Sequence, residues 1–146
     1  MSRPQQVRAR ALRDAGALYA AIALGTVIGG VLRALASTAA HEALGAGFPW
    51  GTLFANVLGS FVIGFYATLT GPDGRVFAGT RRRQFVMTGI CGGFTTFSVF
   101  SLETMLAARA GDWAAAGLNV AVSLVTWLAA VWLGFALASR LNRLRG

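Results

Sequence analysis

Charge is what this chain most conspicuously lacks. Of its 146 residues 12% are charged, and only five are acidic. A soluble domain typically devotes about a quarter of its residues to charge, so this composition cannot supply a water-facing surface. Cysteine is nearly absent. Cys91 has no second cysteine to pair with, which excludes an internal disulfide and implies no oxidising compartment. Histidine is as scarce, with His41 alone, expected in a loop beside Glu42. No metal-ligand spacing, paired carboxylates or nucleophile–base arrangement can be assembled, so the sequence does not read as an enzyme. The stretch Gly89-Ile90-Cys91-Gly92-Gly93 is not a phosphate cradle, because no Gly-Lys-Ser/Thr follows it and no strand pattern precedes it.

What the chain has instead is apolar length. Hydrophobic residues make up 55% of it and the mean hydropathy is +0.61, a composition that is stable where lipid replaces water. Four apolar segments stand out: about Ala15 to Ala40, Thr52 to Leu69, about Phe85 to Leu106, and about Ala114 to Ala138. Each is long enough to cross a hydrocarbon layer of about 30 Å, for which roughly 20 helical residues suffice. The intervening stretches, His41 to Gly51, Gly71 to Arg83 and Ala107 to Trp113, read as loops. Pro49, Pro72 and Gly74 punctuate the first two. The expected fold class is an all-α membrane protein of four transmembrane helices, with residues 1–14 a basic cytoplasmic tail and 15–146 the four-helix domain.

The net charge of +8 raises nucleic acid as a partner, since clustered basic residues are the footprint of phosphate binding. The arginines, however, sit at the edges of apolar segments, which fits the positive-inside pattern and not nucleic acid. Arg3, Arg8, Arg10 and Arg13 before a hydrophobic stretch also resemble the start of a signal peptide. That stretch is long, and Arg33 would fall just before a small-residue cleavage site such as Ala34-Leu35-Ala36, so a retained first helix is the better reading. With both termini on one side, that side carries those four arginines, Arg75, Arg81, Arg82 and Arg83, and Arg140, Arg143 and Arg145. Only Arg109 lies opposite. This bias predicts cytoplasmic termini.

Small residues recur at helix-packing spacing in Gly25/Gly29, Ser60/Gly64 and Gly89/Gly93. Close helix–helix contact accounts for the first two pairs and is less adequate for the third. That pair opens the run Gly89 to Ser101, where adjacent glycines precede Thr95 and Thr96 in a poor helix interior. An unwound turn there would free backbone carbonyls, as in the broken helices that hold Na⁺. A continuous, slightly kinked helix is the alternative, and both readings stay open. Phe97 and Phe100, three apart, share a helical face. Aromatic packing is the ordinary role of such a pair, but the positive edge of a ring also favours an anion. Thr52 and Asn56 lie four apart in the second segment, Asn119 and Ser123 four apart in the fourth. A transmembrane amide is costly without a partner, so Asn56 should face the bundle interior. A helix–helix hydrogen bond would satisfy it, yet two such stripes together suggest a polar track.

These motifs resemble the Fluc (CrcB-type) fluoride channel family. Gly29-Gly30-Val31-Leu32-Arg33 is similar to its Gly-Gly-x-x-Arg pattern. Pro49 to Phe61 and Gly92 to Thr104 are similar to its second- and third-helix motifs, and Asn119 to Ser123 to a weaker fourth. The resemblance implies an antiparallel dimer with a third helix broken mid-membrane, and a structural, untransported Na⁺ held by the backbone carbonyls of Gly92 and Thr95 from both subunits. It implies a fluoride path along Asn56, Phe97, Phe100 and Ser123, with Thr52 and Ser98 adding polar contacts. Arg33 and Glu103 become vestibule and loop-organising charges, and Asn119 a structural residue. Val99 departs from the pattern, since many members carry Thr there, and so one hydroxyl of the track is missing. The implied function is passive export of cytoplasmic F⁻ across a bacterial inner or plasma membrane, reducing fluoride toxicity, with fluoride and lipid as partners and no nucleic acid. The arginine bias argues against equal insertion in both orientations, and the family contains paired paralogues. Homodimer and heterodimer with an oppositely oriented paralogue therefore both stay open. The rival function is a small four-helix proton-coupled exporter of toxic cations. That chemistry needs a mid-membrane carboxylate, for which Glu103 is the sole, peripheral candidate.

Overall fold

The computed structural model describes residues 3–143. Its order is α1 (Arg3–Leu44), α2 (Trp50–Leu69), α3 (Thr80–Gln84), a π-helical stretch (Phe85–Cys91), α4 (Gly92–Phe94), α5 (Phe97–Arg109) and α6 (Trp113–Arg143). Four helical spans are long and apolar enough to cross a membrane, the third being Thr80–Arg109. The described residues contain no strand. Large side chains such as Leu24, Val27, Leu35, Leu128 and Trp132 point outward, as lipid-facing residues must when the surrounding solvent is apolar.

Helices outrun the apolar segments. α1 begins at Arg3 and so takes in the basic tail from that residue onward. Its 42 residues make a rod of about 63 Å, twice the hydrocarbon thickness. Ala, Arg, Leu and Gln, all strong helix formers, fill its first turns. His41 and Glu42, expected in a loop, form the last turn of α1 instead, and the chain turns only at Gly45, whose φ of 77° favours glycine. α3 and α6 likewise start inside stretches expected to be loops.

α2 and α6 form the most extensive helix pair. The third span divides its packing: its π-helical and α4 portions lie on α1, whereas α5 lies on α6. Glycines set these distances. A Cβ on Gly25 would sit 2.6 Å from the Phe85 carbonyl oxygen, and one on Gly89 would sit 2.9 Å from the Gly25 Cα. Gly93 abuts Thr26 in the same seam, while Gly64 meets Val131 and Gly134 meets Phe61. Tight packing thus accounts for Gly89 and Gly93 as well, the pair for which it was expected to be less adequate. Small residues win here because lipid tails offer no hydrophobic reward for helix contact, leaving backbone proximity and dispersion to hold the bundle.

The end of α6 is tied to the loop after α2. Asn142 Nδ2 donates to the Thr68 carbonyl at 3.1 Å, and the Arg75 N–H donates to Asn142 Oδ1 at 2.9 Å. Arg75, Arg81 to Arg83, Arg140 and Arg143 therefore share one end of the bundle with the start of α1, and Arg109 lies at the other. Arg145 lies outside the described residues. Trp50 and Trp113 open α2 and α6 at the arginine-poor end, 40% and 74% exposed, the position of an interfacial aromatic belt.

Candidate functional site

The site forms where helical geometry fails between α4 and α5. Thr95 (φ −80°, ψ 155°) and Thr96 (φ −150°, ψ 125°) are extended, a conformation their β-branched side chains favour. Such a step strands backbone groups, and side chains take them up. Asn56, buried on α2, donates from Nδ2 to the Thr96 carbonyl at 2.8 Å and accepts the Thr96 N–H on Oδ1 at 2.7 Å. Thr96 in turn caps α5, its Oγ1 accepting the Val99 N–H at 3.2 Å. In an unbroken helix the Thr96 N–H would bond to the Gly92 carbonyl and the Val99 N–H to the Thr95 carbonyl. Both donors are diverted, so these two carbonyls lose their helical partners. The backbone at Gly92 is also open, with only the Met87 carbonyl, 3.9 Å away, near its Cβ position.

Asn56, Gly92, Thr95, Thr96, Phe97 and Trp127 line a cavity of about 260 Å³. The Phe97 and Phe100 ring centroids are 5.5 Å apart and tilted at 50°. They differ in environment, Phe97 being 69% exposed and Phe100 only 6%. Phe100 is held by Trp127, which meets it edge-on with centroids 4.9 Å apart. Ser98 is exposed, its hydroxyl 3.3 Å from that of Thr96.

The polar stripes of α2 and α6 are both buried but lead to different partners. Thr52 donates to Glu103 Oε1 at 2.8 Å, while Glu103 Oε2 is buried without a partner. Asn119 Nδ2 donates to Thr104 Oγ1 at 2.9 Å, and the Ser123 hydroxyl donates to Asn119 Oδ1 at 3.3 Å. Arg33 reaches across from α1, its Nε donating to the Gly93 carbonyl at 3.3 Å, beside the extended step. The structure thus gathers Asn56, Gly92, Thr95, Phe97 and Phe100 at one locus. Thr52 and Glu103 form a separate pair beside a second cavity of about 210 Å³ that His41 also lines.

The partners of three residues here were not expected from the sequence, which marked Thr96 only as part of a poor helix interior. Thr96 could have been found as a helix-capping threonine ahead of Val99. Trp127 could have been found by extending the Asn119–Ser123 spacing one more turn. Thr104 carries no such signal, because any polar residue on α5 could have met Asn119. Among the described residues no group of three His, Cys, Asp or Glu side chains could hold a metal.

Residues 20–135 match the family described as CrcB-like protein, Camphor Resistance (CrcB). The chain is 63% identical over 135 residues to "Fluoride-specific ion channel FluC 1" of Rhodopseudomonas palustris, covering 92% of this chain and 96% of that one. It is 56% identical to "Fluoride-specific ion channel FluC" of Opitutus terrae over 129 residues, covering 88% and 98%. It is equally identical to the protein of the same name from Paramagnetospirillum magneticum over 125 residues, covering 86% and 98%. With four membrane-length helices and relatives named as ion channels rather than enzymes, this multi-pass membrane protein belongs to the CrcB family.

Proposed function

We propose that this chain is a fluoride-selective channel subunit that lets cytoplasmic F⁻ leave by passive electrodiffusion, fluoride having entered as HF. The observation that carries the reading is the Asn56–Thr96 clamp beside the two phenylalanine rings, in a chain whose relatives are named for fluoride. One N–H of the Asn56 amide is used by the Thr96 carbonyl, and the second is left for an anion. Ring edges of Phe97 and Phe100 add positive potential without offering a carboxylate or a wide aqueous bore. The Ser123–Asn119 bond is long at 3.3 Å, so its hydroxyl can be redirected to a passing anion at small cost. A narrow, partly dry path of such donors compensates a small halide for lost water and excludes a larger one. Thr52 and Ser98 contribute polar contacts, and Arg33 supplies positive charge near the locus.

The same reading makes the functional unit an antiparallel dimer, either of this chain or with an oppositely inserted paralogue, with a structural Na⁺ between the broken third helices. The donor-deprived carbonyls of Gly92 and Thr95, on an open glycine face, fit a hard cation that takes oxygen ligands. These residues would hold the ion, which would pin the two third spans together. Proton-coupled cation export draws no support from the relatives' names. The test is efflux from liposomes read with fluoride- and chloride-sensing electrodes, with this chain alone and with a candidate paralogue. Fluoride release without chloride release is expected. Chloride release at a comparable rate, or proton-driven uptake of a dye cation, would overturn the reading.

A further inference from the structure

We propose that the indole N–H of Trp127 is an additional hydrogen-bond donor to the permeating anion, placed on α6 one turn beyond Ser123. The inference rests on the fluoride reading above and adds a binding group to it. Among the described residues, three buried side-chain polar atoms lack a hydrogen-bond partner: Arg83 Nε, Glu103 Oε2 and Trp127 Nε1. Arg83 lies in α3 at the basic end of the bundle and does not line the cavity shared by Asn56 and Phe97. Glu103 Oε2 can only accept unless its carboxyl is protonated, so as an anion it would repel fluoride. Trp127 differs from both. It is the fourteenth residue beyond the start of α6 at Trp113, hence about 21 Å from that end at 1.5 Å per residue, a depth at which bulk water is absent.

An indole nitrogen donates and never accepts, so a cation cannot satisfy it. Buried tryptophan N–H groups ordinarily find a partner, and one that does not marks an ion or water site. Trp127 lines the same cavity as Asn56, Thr96 and Phe97, and its ring is fixed edge-on against Phe100. Asn119, Ser123 and Trp127 recur every four residues, each step rising about 6 Å along one helix face. A donor-only group, rigidly held, therefore continues that stripe beside the two phenylalanines, on the helix facing α5, where Val99 supplies no hydroxyl. The acceptor that fits is a small anion.

Trp127→Phe removes the N–H and keeps an aromatic ring against Phe100. Trp132→Phe, on the same helix but 63% exposed, is the control. In liposomes we expect Trp127→Phe to lower fluoride efflux at least about tenfold, the weight of one hydrogen bond to a charged acceptor, and Trp132→Phe to leave it unchanged. In the unmutated protein, the Trp127 indole N–H resonance, assigned with Phe variants of Trp50, Trp113 and Trp132, should move on adding sodium fluoride and stay put with sodium chloride. Conducting wild-type protein with undiminished flux in Trp127→Phe would overturn this inference alone. So would an indole signal indifferent to fluoride, even if Trp127→Phe failed to fold. Wild-type protein that conducts no fluoride would instead overturn the channel reading, and this inference with it.

Discussion

Asn56 and Thr96, on different spans, are joined by two hydrogen bonds of 2.8 and 2.7 Å that engage both the carbonyl and the N–H of Thr96. A side-chain amide thus replaces two backbone partners that a continuous helix would have supplied. Removing it leaves both part-buried Thr96 groups unpaired, at about 1–3 kcal/mol each. Asn56→Ala should therefore cost about 2–6 kcal/mol in denaturant unfolding and abolish fluoride efflux. Asn56→Asp keeps the acceptor for the Thr96 N–H and should unfold less readily than the alanine variant. It should still conduct no fluoride, since a carboxylate at that place repels the anion.

The two phenylalanines should separate stability from conduction. Phe100 is buried against Trp127, whereas Phe97 is mostly exposed on the single chain. Phe100→Ile should lower both the unfolding midpoint, by an amount reflecting about 1–3 kcal/mol of lost packing, and the fluoride flux. Phe97→Ile should lower flux by a similar factor and leave unfolding of the chain within about 0.5 kcal/mol. Equal flux in both variants and the parent would contradict the ring-edge role.

The seam between α1 and the third span allows no side chain. Gly25→Ala would drive a methyl to 2.6 Å from the Phe85 carbonyl oxygen, and backbone on both sides would have to part. A loss of about 1–3 kcal/mol is expected, read as a lower unfolding midpoint and reduced yield. Gly30 has nothing within 4 Å of its Cβ position. Gly30→Ala should be neutral or up to about 1 kcal/mol stabilising.

Sodium should matter without being transported. Replacing Na⁺ by a large organic cation on both sides of the membrane should abolish fluoride efflux and weaken the dimer in cross-linking, and returning Na⁺ should restore both. Efflux indifferent to sodium would remove the proposed role of the Gly92 and Thr95 carbonyls while leaving the anion path intact.

How far the fold could be read in advance follows from what each signal depends on. Span existence depends on hydropathy summed over roughly 20 residues, which averages away local detail, and all four spans were legible. Span ends depend on local helix propensity, so α1 ran through the basic tail and past His41, where composition marked polar segments. The π-helical stretch Phe85–Cys91 was illegible, because an added residue in a helical turn is decided by the neighbour it packs against, here Gly25 and Gly29. Within the site, Asn56 was legible as a costly amide needing an interior partner. That its partner would be Thr96, and that Thr52 would meet Glu103, were not, since both contacts join segments more than 35 residues apart through tertiary geometry alone.

The most direct test is the current–voltage relation of the reconstituted protein, alone and with an oppositely oriented paralogue, under opposing fluoride and chloride gradients. The account predicts a current that reverses at the fluoride equilibrium potential and is lost in Asn56→Asp. A reversal at the chloride potential, or no fluoride current with either composition, would contradict it.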